Sequence, residues 1–305
     1  MYKSNKLQKM FSGEPTPTYI ICEVGINHNG SIDEALKLIE SASKSGVDAV
    51  KFQKRTLSEI YSKSILDDSN SAEWNFDYLI PLLKDVELSD DDYKVIRKKC
   101  NELELDLIIT PFDEVSAEFI ADLGITAFKI ASADMTNYSL IEKCSSYGLP
   151  IIISTGMWSR DEILKVVEHY KSKNITFALL HTQSTYPAPY ESLGLKFIKD
   201  LCEMTEIVGY SGHERGVFIP IAAVTMGCKI IEKHITNNKE QRGPDHKASM
   251  LPEEWSEMIH NIRMLEKSLG GDKLVNQAEK LNKEVFAKSA IAKTNLKSGH
   301  ILKKS

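Results

Sequence analysis

The sequence predicts an α/β fold, a (β/α)8 TIM barrel with a short C-terminal extension. Short apolar segments alternate with helix-forming ones, which implies a parallel sheet with right-handed crossovers. Eight such segments can be collected, at residues 19–24, 49–53, 105–110, 127–132, 150–155, 176–182, 207–211 and 229–235. Together the units fill roughly 250 residues, the size of one such barrel. An open doubly wound sheet is the competing architecture, but no G-x-G-x-x-G follows the first strand.

The first unit is the plainest. "TYIICEVGINHNG" is an apolar strand running into a polar loop closed by glycine. "SIDEALKLIESASKSG" then reads as a helix: Ser31 and Glu34 have capping-box spacing, Leu36, Ile39 and Ala42 mark an apolar face, and Gly46 ends it. "VDAVKFQK" is the next strand. The same order of helix, glycine turn and strand recurs in "IADLGITAFKIAS", "CSSYGLPIIISTG" and "TMGCKIIEKHIT".

Two regions depart from the repeat. Residues 56–90 are too long for a plain connection and carry Trp74, Phe76 and Tyr78, so a lid over the barrel mouth is expected there. The barrel is assigned to residues 1–270 and a Lys- and Asn-rich linker to 271–285. A small β module is expected to open at 286 and to run to 305.

Composition narrows the function classes. The chain has 305 residues, 42% hydrophobic and 27% charged, enough to bury a large core. A net charge of −5 without a basic patch argues against nucleic acid or an anionic membrane as partner. Five scattered cysteines without a C-x-x-C favour a reducing compartment. With no signal-like segment at the start and no bilayer-spanning run, a cytoplasmic protein is expected.

Almost every predicted strand ends in polar or ionisable residues, and in a barrel these ends converge on the face where active sites are built. Lys51 and Lys129, with Thr110, Ser132, Ser154 and Ser211, offer ammonium and hydroxyl donors suited to phosphate or carboxylate. His213 and His234 fall on neighbouring strands and could share a divalent metal. Glu23 and Asp245 could orient groups or take protons. Blander roles exist for each. Strand-end histidines are often only hydrogen-bonded structure, and Glu23 could simply pair with Lys51. Lys129 could be a Schiff-base nucleophile. His28, His181 and His246 are weaker candidates.

At these positions the sequence resembles the sialic acid synthase family. "EVGINHNG", "VKFQK", "TPFD", "KIASAD", "STGMWS", "HTQSTYPAP", "GYSGHERG", "IEKHIT" and "GPDHKASM" occur in the family's order over residues 19–250. The resemblance implies a transferase that condenses phosphoenolpyruvate with an N-acetylated amino sugar, in nonulosonic (sialic) acid biosynthesis, releasing phosphate. It implies that Lys51, Thr110, Lys129, Ser132, Ser154 and Ser211 bind phosphoenolpyruvate. His213 and His234 would hold a divalent ion, Mn2+ first and Mg2+ or Co2+ next. Glu23, Gln53, Asp134, Tyr186 and Asp245 would bind the sugar or act near the metal. A homodimer is implied, in which a C-terminal antifreeze-like domain covers the partner's site.

Three features depart from the pattern. Ser184 in "HTQSTYP" stands where neuraminic acid synthases often have Asn, closer to the legionaminic and pseudaminic branches. Gly212 stands where many relatives have Asp, removing a carboxylate behind the metal. "FAKSAIAKTNLKSGHIL" resembles only the opening of the antifreeze-like domain. The competing functions are therefore a Schiff-base aldolase using Lys129 or Lys51, and a truncated, non-catalytic sugar- or phosphoenolpyruvate-binding paralogue.

Overall fold

The computed structural model describes residues 5–68 and 76–303. It divides into two compact units, Met1–Ser268 and Leu269–Ser305. The first is a closed barrel of eight parallel strands in sequential order. These are β1 (Tyr19–Gly25), β2 (Ala49–Lys54), β3 (Asp106–Pro111), β4 (Ala127–Ile130), β5 (Ile151–Ser154), β6 (Phe177–Thr182), β7 (Val208–Gly212) and β8 (Ile230–His234). Each lies within two residues of its expected span. The predicted end of β4 differs because Ser132–Asp134 coil into a 3-10 turn instead.

Side-chain alternation divides the buried residues into two layers. One face of each strand joins the helices in an outer core that includes Val50, Phe52, Ile109, Phe128, Ile153 and Ile231. The other face fills the barrel's lower interior, where Tyr19, Ile21, Ile108, Ile152, Leu180 and Ile230 meet. Below them a helix the sequence reading passed over, Lys6–Phe11, inserts Leu7 and Met10 into the same cluster. Lys6 ties it down by donating to Asp48 at 2.7 Å and to the Thr18 carbonyl at 3.1 Å. The barrel therefore has an apolar, plugged bottom, and its polar inward positions lie at the strand ends above.

Local signals behave as the sequence suggests. Ser31 accepts from the Glu34 amide to start the helix Ile32–Ser45, and Gly46 ends it in the left-handed region. The Glu34 carboxylate reaches Lys37 at 2.6 Å, so half of the expected capping box is replaced by an ion pair.

The expected lid is not seen in the described residues. Helices Leu57–Ile60, Lys63–Asp67 and Phe76–Val86 occupy the stretch, and Tyr78 points to solvent. Trp74 and the Phe76 side chain lie outside what is described. In the second unit, the span read as a linker contains a helix, Gln277–Phe286, capped reciprocally by Asn276 and Glu279. Among the described residues no strand follows it, and no helix of the chain is long and apolar enough to cross a membrane.

Candidate active site

A cavity of about 370 Å³ opens where the strand ends converge. The inward alternation that puts Ile21 of β1 and Ile230 of β8 in the lower core puts Glu23, Glu232 and His234 in the cavity wall. On the other strands it brings up Lys51, Gln53, Thr110, Lys129, Ser154, Thr182 and Ser211. The loops beyond add Ser132, Ser184, Tyr186, His213 and Asp245. Asp134 alone among the predicted site residues is not in the wall. The tight turn after β4 directs its carboxylate to the Asn137 side chain at 3.2 Å, and burial raises its pKa.

The deepest part is a charged ladder. Lys51 lies 2.8 Å from Glu23 and 3.8 Å from Glu232, while Lys129 lies 4.0 Å from Glu232. Ser211 donates to Glu232 at 2.9 Å, Lys129 to Ser154 at 2.6 Å and Lys51 to Thr110 at 3.4 Å. Glu232 has no role in the sequence-based expectation, although it sits two residues before His234 and so shares its face. Arg55, just past β2, was also missed; its guanidinium lies 3.9 Å over the Phe112 ring and donates to the Gln53 side chain.

Burial and neighbours split these groups. Burial lowers the Lys129 pKa to about 8, with Glu232 only partly offsetting it. Burial also acts to lower that of Lys51, but the Glu23 and Glu232 carboxylates outweigh it and the value ends raised. Of the two carboxylates, Glu23 is raised by burial and by the Glu232 charge, with Lys51 opposing. Burial pulls Glu232 the same way, but Lys129 and Lys51 hold it below the usual range. Two interacting carboxylates pushed apart give one group poised to carry a proton and one fixed counter-charge.

Beside the ladder stand the two histidines, with ring centroids 5.5 Å apart. The Tyr186 ring lies tilted against His213, with centroids 3.9 Å apart. His213 donates from Nδ1 to the Gln183 carbonyl at 2.8 Å, which leaves Nε2 as its lone-pair nitrogen. The buried Nδ1 of His234 has no hydrogen-bond partner, and the Asp245 carboxylate lies 3.7 Å from it. Burial drives the His213 pKa to about 3 and lowers that of His234. Neutral imidazoles with an unsatisfied buried nitrogen and a nearby carboxylate fit a divalent cation. Among the described residues, however, no three His, Cys, Asp or Glu side chains form a ready cage, so substrate or water would complete the coordination.

Backbone geometry brings these groups together. The β1–β2 register shifts between Glu23 and Gly25, a bulge that re-aims the strand end. Gly25 has φ +55°, and a Cβ there would lie 3.1 Å from the Glu23 carboxylate and 3.3 Å from the His234 ring. The weaker histidines are structural. His181 bonds the Leu193 carbonyl, His246 pairs with Thr236, and the Gly30 amide donates to His28.

Residues 38–273 match the model of the NeuB family. The chain is 38% identical over 296 residues to the N,N'-diacetyllegionaminic acid synthase of Campylobacter jejuni, covering 93% of this chain and 87% of that one. It is 34% identical over 295 residues to the N-acetylneuraminate-9-phosphate synthase of Homo sapiens, covering 95% and 82%. Among solved structures, an N-acetylneuraminic acid synthetase from Leptospira borgpetersenii, in complex with citrate, superposes with a TM-score of 0.78 at 30% identity. That match covers 89% of this chain and 91% of the other.

Proposed function

This chain belongs to the NeuB family, and from that membership we propose that it condenses phosphoenolpyruvate with an N-acetylated amino sugar, releasing phosphate to make a nonulosonic acid. The observation that carries the reading is the arrangement inside one cavity: two buried lysines braced by hydroxyls and carboxylates, next to two neutral histidines.

Lys51 and Lys129 bind the phosphate and carboxylate of phosphoenolpyruvate, and Thr110, Ser132, Ser154 and Ser211 add hydroxyl donors. His213 and His234 would hold a divalent ion, Mn2+ first, which would supply Lewis-acid polarisation of the sugar's open-chain aldehyde. Gln53, Ser184, Tyr186 and Asp245 line the side of the cavity that receives the sugar, and Asp134 acts from behind the wall. The new bond joins C3 of phosphoenolpyruvate to the aldehyde carbon, leaving positive charge at C2. Water adds at C2, and one of its protons passes to the Glu23 carboxylate and on to the new alkoxide oxygen. The tetrahedral adduct collapses to the C2 ketone, expelling phosphate by C–O cleavage with the second proton leaving on the phosphate. Glu232 remains ionised and offsets the lysine charges when the anion is absent.

The test is phosphate release from phosphoenolpyruvate with Mn2+, in separate assays with N-acetylmannosamine, its 6-phosphate and a 2,4-diacetamido hexose, each with and without EDTA. Chelator-sensitive release with one sugar supports the reading and names the substrate. Absence of release with all three, with phosphoenolpyruvate still bound, points to a binding protein instead. The reading extends to a homodimer, which sedimentation tests. One observation favours a second reading: an amine with a pKa near 8, as at Lys129, suits Schiff-base formation. Borohydride trapping of a substrate carbonyl on Lys129, with indifference to chelator, would establish it.

A further inference from the structure

We propose that Glu214 and Lys233 are positioning residues that fix the two cavity histidines relative to one another, and that the glycine at 212 makes their pairing possible. The inference rests on the reading that His213 and His234 hold the metal.

Glu214 directly follows His213, and Lys233 directly precedes His234. Alternation turns both away from the cavity, where their side chains are completely buried. Lys233 donates to the Glu214 carboxylate at 2.7 Å and to its backbone carbonyl at 2.5 Å. Tyr210 of β7 donates to the other carboxylate oxygen at 2.6 Å. The backbone pairing of β7 with β8 ends at Gly212 opposite Lys233. The side-chain pair thus takes over where the ladder stops, in the residues that carry the histidines.

Stability alone does not account for this pair. Burying an ammonium and a carboxylate costs desolvation that an apolar pair of the same volume avoids, and such replacements are often neutral or stabilising. What the charged pair adds is direction, because the ammonium holds both a side-chain and a main-chain oxygen of one residue. Gly212 leaves the necessary room: a Cβ there would lie 2.6 Å from the Glu214 carboxylate and 2.6 Å from the Tyr210 ring. Any side chain at 212 would therefore collide with the Glu214 carboxylate where it is.

The test reads metal binding without turnover, by titrating the substrate-free protein with Mn2+ and following the free ion by electron paramagnetic resonance. Three variants disturb the pair in different ways. Gly212→Ala displaces Glu214 while keeping both charges. Glu214→Gln removes one charge, and Glu214→Leu with Lys233→Met removes both. Each is expected to bind Mn2+ about 10- to 100-fold more weakly, the usual effect of disturbing a residue that orients a metal ligand. The phosphoenolpyruvate KM should change little, since Lys51 and Lys129 are untouched. Mn2+ affinity within about twofold of wild type in Gly212→Ala and in the folded charge variants would overturn the proposal. If a charge variant fails to fold, Gly212→Ala decides alone. His213→Ala is the control: undiminished Mn2+ binding there would sink the metal reading itself rather than the role of this pair.

Discussion

Lys129 offers the most quantitative check on the cavity. Its ammonium is buried against Ser154 and 4.0 Å from Glu232, and burial brings its pKa from the ordinary 10.5 to about 8. At pH 7 about nine-tenths of the free enzyme carries this charge, and at pH 9 about one-tenth. Because kcat/KM reports the free enzyme, its value for phosphoenolpyruvate should fall about tenfold between pH 7 and pH 9. Lys51, raised by its two carboxylates, contributes no limb in that range. In Lys129→Arg the charge cannot be lost, so the alkaline limb should disappear even if the plateau is lower. A limb near pH 8 that persists in Lys129→Arg would refute the assignment, as would full kcat/KM in Lys129→Met at pH 7. Linkage gives a second readout. Between pH 8 and 10.5 the unfolded chain holds a proton here that the folded protein lacks, so stability rises with pH across that window. Below pH 8 the cost is fully present, of order 3 kcal/mol. Lys129→Met should flatten that rise in urea melts run at successive pH values.

Three other outcomes follow. His234→Ala should abolish Mn2+-dependent turnover while the circular dichroism spectrum is kept; full activity would remove this histidine from the metal site. Glu232→Gln should move the alkaline limb to lower pH, because the Glu232 charge is what partly supports the Lys129 proton, and an unmoved limb would mean the two do not interact. Leu7→Ala, in the plug beneath the barrel, should cost about 2–5 kcal/mol in stability yet leave kcat/KM unchanged at 25 °C. A loss of activity without a loss of stability would contradict the separation of plug from site.

The barrel was legible because each strand is apolar where it faces the lower core or the helices and polar where its inward face reaches the mouth. That pattern has period two and survives without any neighbour information. The residues that escaped lack such a signal. The helix Lys6–Phe11 has six residues, too few for a helical period to stand out, and only the hydrophobic floor it covers gives Leu7 and Met10 a purpose. Glu232 belongs to the ionisable run Glu232-Lys233-His234, and only counting by twos from His234 separates it, facing the cavity, from Lys233, facing away. Asp134 was carried over from a motif, and the 3-10 turn that swings it behind the wall is set by packing. That Gly212 leaves room for the Glu214 carboxylate is visible only in three dimensions.

The paired hydroxyls explain how lysines already engaged inside the cavity could still take an anion. An anion that had to break every lysine contact would gain little over water, since buried charges without partners are costly. A lysine has three protons to give, and a hydroxyl both accepts and donates. Ser154 accepts from Lys129 at 2.6 Å and Thr110 lies 3.4 Å from Lys51, so each hydroxyl keeps its own proton free for a phosphate or carboxylate oxygen. Each ammonium keeps a proton free in the same way. An anion would therefore add to the lysine–hydroxyl pairs rather than replace them. Selectivity for a small, multiply charged oxyanion would follow from the donors being aligned before it arrives.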